Sequence, residues 1–114
     1  MANQGYTNIH DGKLFYRKIG TGIPIVFIHG FCLDHRMWQK QSDYFSSTHT
    51  CITYDLRGFG KSTLPITPYS HHDDLLVFLK NLHIDEPVIL IALSMGGRAA
   101  VNFSLVHPAK KSEH

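Results

Sequence analysis

Ser94 stands between the small residues Ala92 and Gly96, just past the apolar run Val88-Ile89-Leu90-Ile91. A serine hydroxyl attacks a carbonyl at neutral pH only when a histidine takes its proton and a carboxylate orients that histidine. One construction that presents such a serine is a buried strand turning sharply into a helix. The turn lifts the hydroxyl clear of the sheet, and strand and helix approach so closely that the flanking residues must be small. Ala92 and Gly96 meet that demand, Ala92 with one methyl more than the usual G-x-S-x-G. The bland alternative is a serine that merely begins a helix after a buried strand.

Other residue groups suggest chemistry and are better explained otherwise. Asp55, an acid at a strand end, could serve as a triad carboxylate, yet it opens the glycine-rich segment Asp55-Leu56-Arg57-Gly58-Phe59-Gly60-Lys61-Ser62. Gly60-Lys61-Ser62 has the ending of a phosphate-binding loop, but Asp55 occupies the place of that motif's first glycine, where a carboxylate would repel phosphate. His71, His72, Asp73 and Asp74 could suggest a metal site. Adjacent residues on one helix cannot all converge on an ion, and helix capping already explains Ser70 and Asp73. Neither a metal nor an organic cofactor is expected.

The positioning elements follow from periodicity. Lys13–Ile19 alternates enough for a half-exposed strand, with Gly20-Thr21-Gly22 as its turn. Ile23 to His29 reads as a fully buried strand. Asp34 is a suitable cap for a helix from His35 to Phe45, with Met37, Trp38, Gln41 and Phe45 at helical spacing. Thr50–Tyr54 is a strand. Ser70 caps a helix whose Leu75, Leu76, Phe78, Leu79 and Leu82 form an apolar face. Pro87 to Leu93 is the strand before Ser94, and Gly96 to His107 the helix after it, stopped by Pro108. Strands alternating with helices predict an α/β fold, mainly a parallel sheet with helices on both faces.

Three motifs in register carry a family resemblance: Pro24-Ile25-Val26-Phe27-Ile28-His29-Gly30-Phe31, the D-x-R-G-x-G-x-S turn Asp55–Ser62, and Ala92-Leu93-Ser94-Met95-Gly96-Gly97. Together they resemble the α/β-hydrolase superfamily, most of all its cofactor-free serine esterase and enol-lactonase-like branch, over about residues 13–108. The resemblance implies that Ser94 is the nucleophile and that the backbone N–H groups of Met95 and Phe31 form the oxyanion hole. It implies that His29-Gly30 shapes the loop carrying Phe31, and that Asp55, Arg57 and Ser62 belong to a structural turn. It implies a small ester substrate. A serine at position 94 also sets the chain apart from the dehalogenase and epoxide-hydrolase branches, whose nucleophile is an aspartate.

Length qualifies these expectations. Domains of this sort run to roughly 200–250 residues, and this chain has 114. It is therefore expected to be the N-terminal portion of one such domain, a truncated α/β-hydrolase fold over residues 1–114, without the family's later acid, histidine and lid. The competing expectation is a non-catalytic fragment that folds or assembles without turnover. An interrupted sheet would leave Val88, Ile89, Leu90, Ile91 and Leu93 on a strand with one unpaired side, inviting self-association.

Composition sets the remaining bounds. The chain is 43% apolar with a formal net charge of +2, as expected of a globular domain and too weakly basic to imply nucleic-acid or membrane partners. The start Met1-Ala2-Asn3-Gln4-Gly5 lacks the charged and apolar regions of a signal peptide, and no apolar run approaches the ~20 residues that span a bilayer. A cytoplasmic location is the default expectation. Cys32 and Cys51 lack C-x-x-C spacing and are expected to be free packing residues.

Overall fold

The computed structural model describes residues 3–30, 33–65, 69–93 and 100–101. Five strands form one sheet: β1 (Asn3–Ile9), β2 (Gly12–Ile19), β3 (Pro24–Ile28), β4 (Thr50–Tyr54) and β5 (Ile89–Ala92). Their order is β1-β2-β4-β3-β5. The β1–β2 and β2–β4 pairs are antiparallel, whereas β4–β3 and β3–β5 are parallel. The sheet is thus mixed, with an antiparallel hairpin leading into a parallel half.

β3 is buried at every position because both faces of the sheet are covered. Its alternate residues divide between two cores. Val26 and Ile28 join Leu14, Ile52, Tyr54 and Leu90 beneath Leu75, Phe78 and Leu79 of helix α2 (His71–Asn81). Ile25, Phe27 and Cys51 face the other way, against Trp38 and Phe45 around helix α1 (Gln39–Phe45). Burying a side chain of this size stabilises the fold by about 1.5–3 kcal/mol. Burial also pushes the free Cys51 thiol up to about 11, leaving it a packing residue; Cys32 lies outside the described residues.

Both predicted caps are present. The Asp34 carboxylate accepts from Arg36 N–H, and Ser70 Oγ accepts from Asp73 N–H. The chain departs from expectation in four places. β1 had no sequence signal of its own, since most of its residues are polar and exposed; it is held as the outer strand of a hairpin. Ile23 lies outside β3 and is 60% exposed. Lys13–Ile19 is less exposed than its alternation suggested, because Leu14 and Phe15 point to opposite faces and both faces are covered. The helix after Asp34 begins as a 3-10 turn, His35–Trp38, and only then becomes α1. Its inward stripe is Trp38, Ser42 and Phe45, at i, i+4 and i+7, with Gln41 exposed beside it.

Candidate active site

β5 runs parallel to β3 with Ala92 opposite Ile28, and Leu93 N–H donates to Ile28 C=O at 3.2 Å. The backbone entering residue 94 is therefore stitched to the end of the strand that runs into His29-Gly30. Ala92, the small residue of the serine motif, ends β5 half-buried against the larger core. Ser94 and the two backbone donors assigned by resemblance, Met95 and Phe31, lie outside the described residues. So does most of the predicted helix 96–107, of which residues 100 and 101 are described and helical.

His29 is buried, and both ring nitrogens are committed. Nδ1 lies 2.8 Å from Gly30 C=O, and Nε2 is 2.9 Å from Leu56 N–H. The amide can only donate, so Nε2 accepts and Nδ1 carries the proton. Burial also lowers the pKa of His29, holding it in this neutral tautomer. The ring is thus a bridge between the β3 and β4 ends and has no free nitrogen to act as a general base.

Asp55 is the centre of the second motif. It is fully buried. Oδ1 accepts from His35 N–H at 2.6 Å and pairs with His35 Nδ1 at 2.7 Å, while Oδ2 accepts from Lys61 N–H at 2.9 Å. Gly60 sits at φ +52°, and a Cβ there would collide with this carboxylate. Ser62 Oγ donates to Asp55 C=O at 2.6 Å and accepts from Phe15 N–H at 2.9 Å. The glycine-rich segment is therefore a structural turn folded around its own first residue.

Arg57 reaches away from that turn. Its guanidinium forms a two-pronged pair with Asp74 of α2 at 3.0 and 2.8 Å and donates to His10 C=O at 2.8 Å. Both side chains are buried, so the pair locks the turn to the helix and to the β1–β2 hairpin. Asp74, which the sequence raised only as a member of the His71, His72, Asp73 and Asp74 cluster, is occupied by this arginine.

Sequence reasoning missed the partnership of His35 with Asp55, since nothing local marks two residues twenty positions apart. The pair has the contact of a histidine with its orienting acid, but Asp55 also clasps His35's own backbone N–H, as a clamp on the 3-10 turn would. Asp34, His35 and Asp55 bring possible metal-ligand atoms within 4.8 Å of one another. Those lone pairs are already engaged: Arg36 takes both Asp34 oxygens, at 2.8–3.2 Å, and holds that carboxyl down at about 2.

A β3 end bridged by His29, a turn folded on Asp55, and a parallel β5 leading to Ser94 together invite comparison with known folds. A sequence model of the α/β hydrolase fold matches residues 23–111. The chain belongs to the α/β-hydrolase family. The AB hydrolase superfamily protein YisY of Bacillus subtilis is 36% identical over 98 residues, covering 82% of this chain and 36% of the relative. Non-heme chloroperoxidase CPO-A1 of Kitasatospora aureofaciens is 39% identical over 92 residues, 76% of this chain and 33% of the relative. Among solved structures, Est816, an N-acyl homoserine lactone degrading enzyme, superimposes with a TM-score of 0.88 at 34% identity, over 93% of this chain and 42% of that one. Methyl ester esterases and an epoxide hydrolase are further relatives. The chain thus spans about a third of the length of these curated relatives. Among the described residues, no helix is long and apolar enough to cross a membrane.

Proposed function

We propose that this α/β-hydrolase segment is the nucleophile-bearing part of a serine esterase or lactonase that opens a small ester through an acyl-enzyme. The observation that supports the reading is the Leu93–Ile28 hydrogen bond, which ties the last described residue before Ser94 in sequence to the end of the strand that precedes His29-Gly30. In this reading Ser94 Oγ attacks the ester carbonyl, and the N–H groups of Met95 and Phe31 take up the developing negative oxygen. Each such donor is worth roughly 3 kcal/mol of barrier. The alcohol then leaves, and water releases the acid from Ser94. The esterase and the lactone-degrading relative support an ester substrate; the epoxide hydrolase shows that the family likeness alone does not select one.

The base and the acid belong, in this proposal, to the part of the fold that these 114 residues do not span. His29 is committed to two hydrogen bonds and Asp55 to its turn. The chain alone should therefore hydrolyse p-nitrophenyl acetate no faster than its Ser94→Ala variant, since the large contribution of the triad is missing. A fluorophosphonate should still label Ser94 slowly, as judged by peptide mass. Labelling that is unchanged in Ser94→Ala would refute the nucleophile. Ser94-dependent turnover of about 1 per second or more would refute the absence of a base.

A further inference from the structure

On the other side of the Asp55 turn is a cleft of about 550 Å3, a size typical of small-molecule sites. Gln4 and Arg17, cross-strand partners on β1 and β2, form one wall. Asp34, His35 and Arg36 on the 3-10 turn, with Gln39 of α1, form a second, and Gly60-Lys61 a third. The two acids facing it already have hydrogen-bond partners. Asp34 is forked by Arg36, and Asp55 is fully buried beneath three N–H groups.

The cations are less satisfied. Arg17 lines the cleft and gives Nη2 to Asp43 at 3.0 Å. Lys61 Nζ lies 4.8 Å over the Phe15 ring and has no carboxylate in ion-pair range among the described residues. His35 packs on the same ring, 5.0 Å between centroids, with Nδ1 turned to Asp55. An arginine fork matches the geometry of a carboxylate or phosphate.

We propose that this cleft binds a small oxyanion, a carboxylate or a phosphoryl group, between Arg17 and Lys61, with the amides of Gln4 and Gln39 as neutral donors. The esterase reading assigns no role to Arg17 or Lys61, so the two proposals are tested independently.

The test is an amide-shift titration of the isotopically labelled 114-residue chain with inorganic phosphate and, separately, malonate, at constant ionic strength. Saturable shifts should centre on Arg17, His35, Gly60 and Lys61. Lys61→Gln should weaken binding about tenfold, the loss of one charge-assisted contact. Lys61 has no ion pair among the described residues and gives up only its contact with the Phe15 ring, so Lys61→Gln should keep the fold and serves as the check on Arg17→Gln, which also loses Asp43. Asp85→Ala, at an exposed residue outside the cleft lining, should bind as the parent does. Tighter binding of phosphate would assign a phosphoryl ligand, and tighter binding of malonate a carboxylate. Shifts reproduced by sodium chloride alone, or affinities unchanged in both Lys61→Gln and Arg17→Gln, would overturn the proposal.

Discussion

The Asp55–Ser62 turn and the β5 edge are opposite solutions to placing polar backbone at the end of a sheet. In the turn, the polar side chains are answered by the turn itself and by the elements packed around it: Asp55 by His35 and Lys61, Ser62 by Phe15, Arg57 by Asp74 and His10. β5 is paired to β3 on one side, and among the described residues no strand pairs its other side. Ile89 and Ile91 are only half-buried and Leu93 is 46% exposed. One region closes on itself; the other offers a ladder of N–H and C=O groups beside apolar side chains, the arrangement that recruits another strand. The rigid part of this fold therefore carries scaffold chemistry, while the strand leading to Ser94 has the weaker support.

The largest expected effect tests the closed region. Asp74→Ala leaves Arg57 charged and buried without its partner, and breaking a buried pair from one side costs about 3–5 kcal/mol. Asp85, exposed just before β5, should change stability little when replaced by alanine. Denaturant melts in which the two variants lose equal stability would erase the contrast. Gly60→Ala comes next. It puts a methyl into the Asp55 carboxylate at a left-handed backbone position, and crowding of this kind costs about 1–3 kcal/mol. A variant as stable as the parent would mean that the turn is looser than its hydrogen bonds indicate.

What could be read in the residues beforehand follows the same division. β3, β4 and the Ser70 cap are local: an apolar run, a strand pattern, a capping side chain; the structural role of the Asp55 turn was implied by the family resemblance. The Arg57–Asp74 and His35–Asp55 pairs join residues seventeen and twenty positions apart, and no periodicity encodes such a meeting. β1 was invisible because an outer hairpin strand needs little apolar surface, and its contacts come from β2. For the reaction, the sequence motifs name Ser94, Met95 and Phe31, while the described residues reach only to the neighbours Gly30 and Leu93.

A third expectation addresses the open edge. Amides of β5, held from one side, should exchange with solvent faster than those of β3, which is flanked by β4 and β5. We further propose that the chain associates through this edge, so light scattering should rise with concentration and β5 protection should rise with it. Monodisperse monomer with β5 as well protected as β3 would remove the distinction between the two regions.

The smallest effect is a pH dependence built into the closed region. His29 is buried in its neutral form, and burial lowers its pKa from the ordinary 6.5. Between that lowered value and 6.5 the unfolded chain binds more protons than the folded one, so stability rises with pH across this window and falls on acidification through it. His71 is lowered by burial as well and acts in the same direction. Asp34 does not interfere: its carboxyl, held at about 2 by Arg36, withdraws stability only as pH falls below 3.8 toward that value. His29→Gln keeps an acceptor for Leu56 N–H but cannot take up the proton. Thermal midpoints measured from pH 5 to 7 should therefore depend less on pH in His29→Gln than in the parent, with His71 contributing to the slope that remains. Equal slopes in the two proteins would mean that His29 does not bridge the strand ends as a neutral ring.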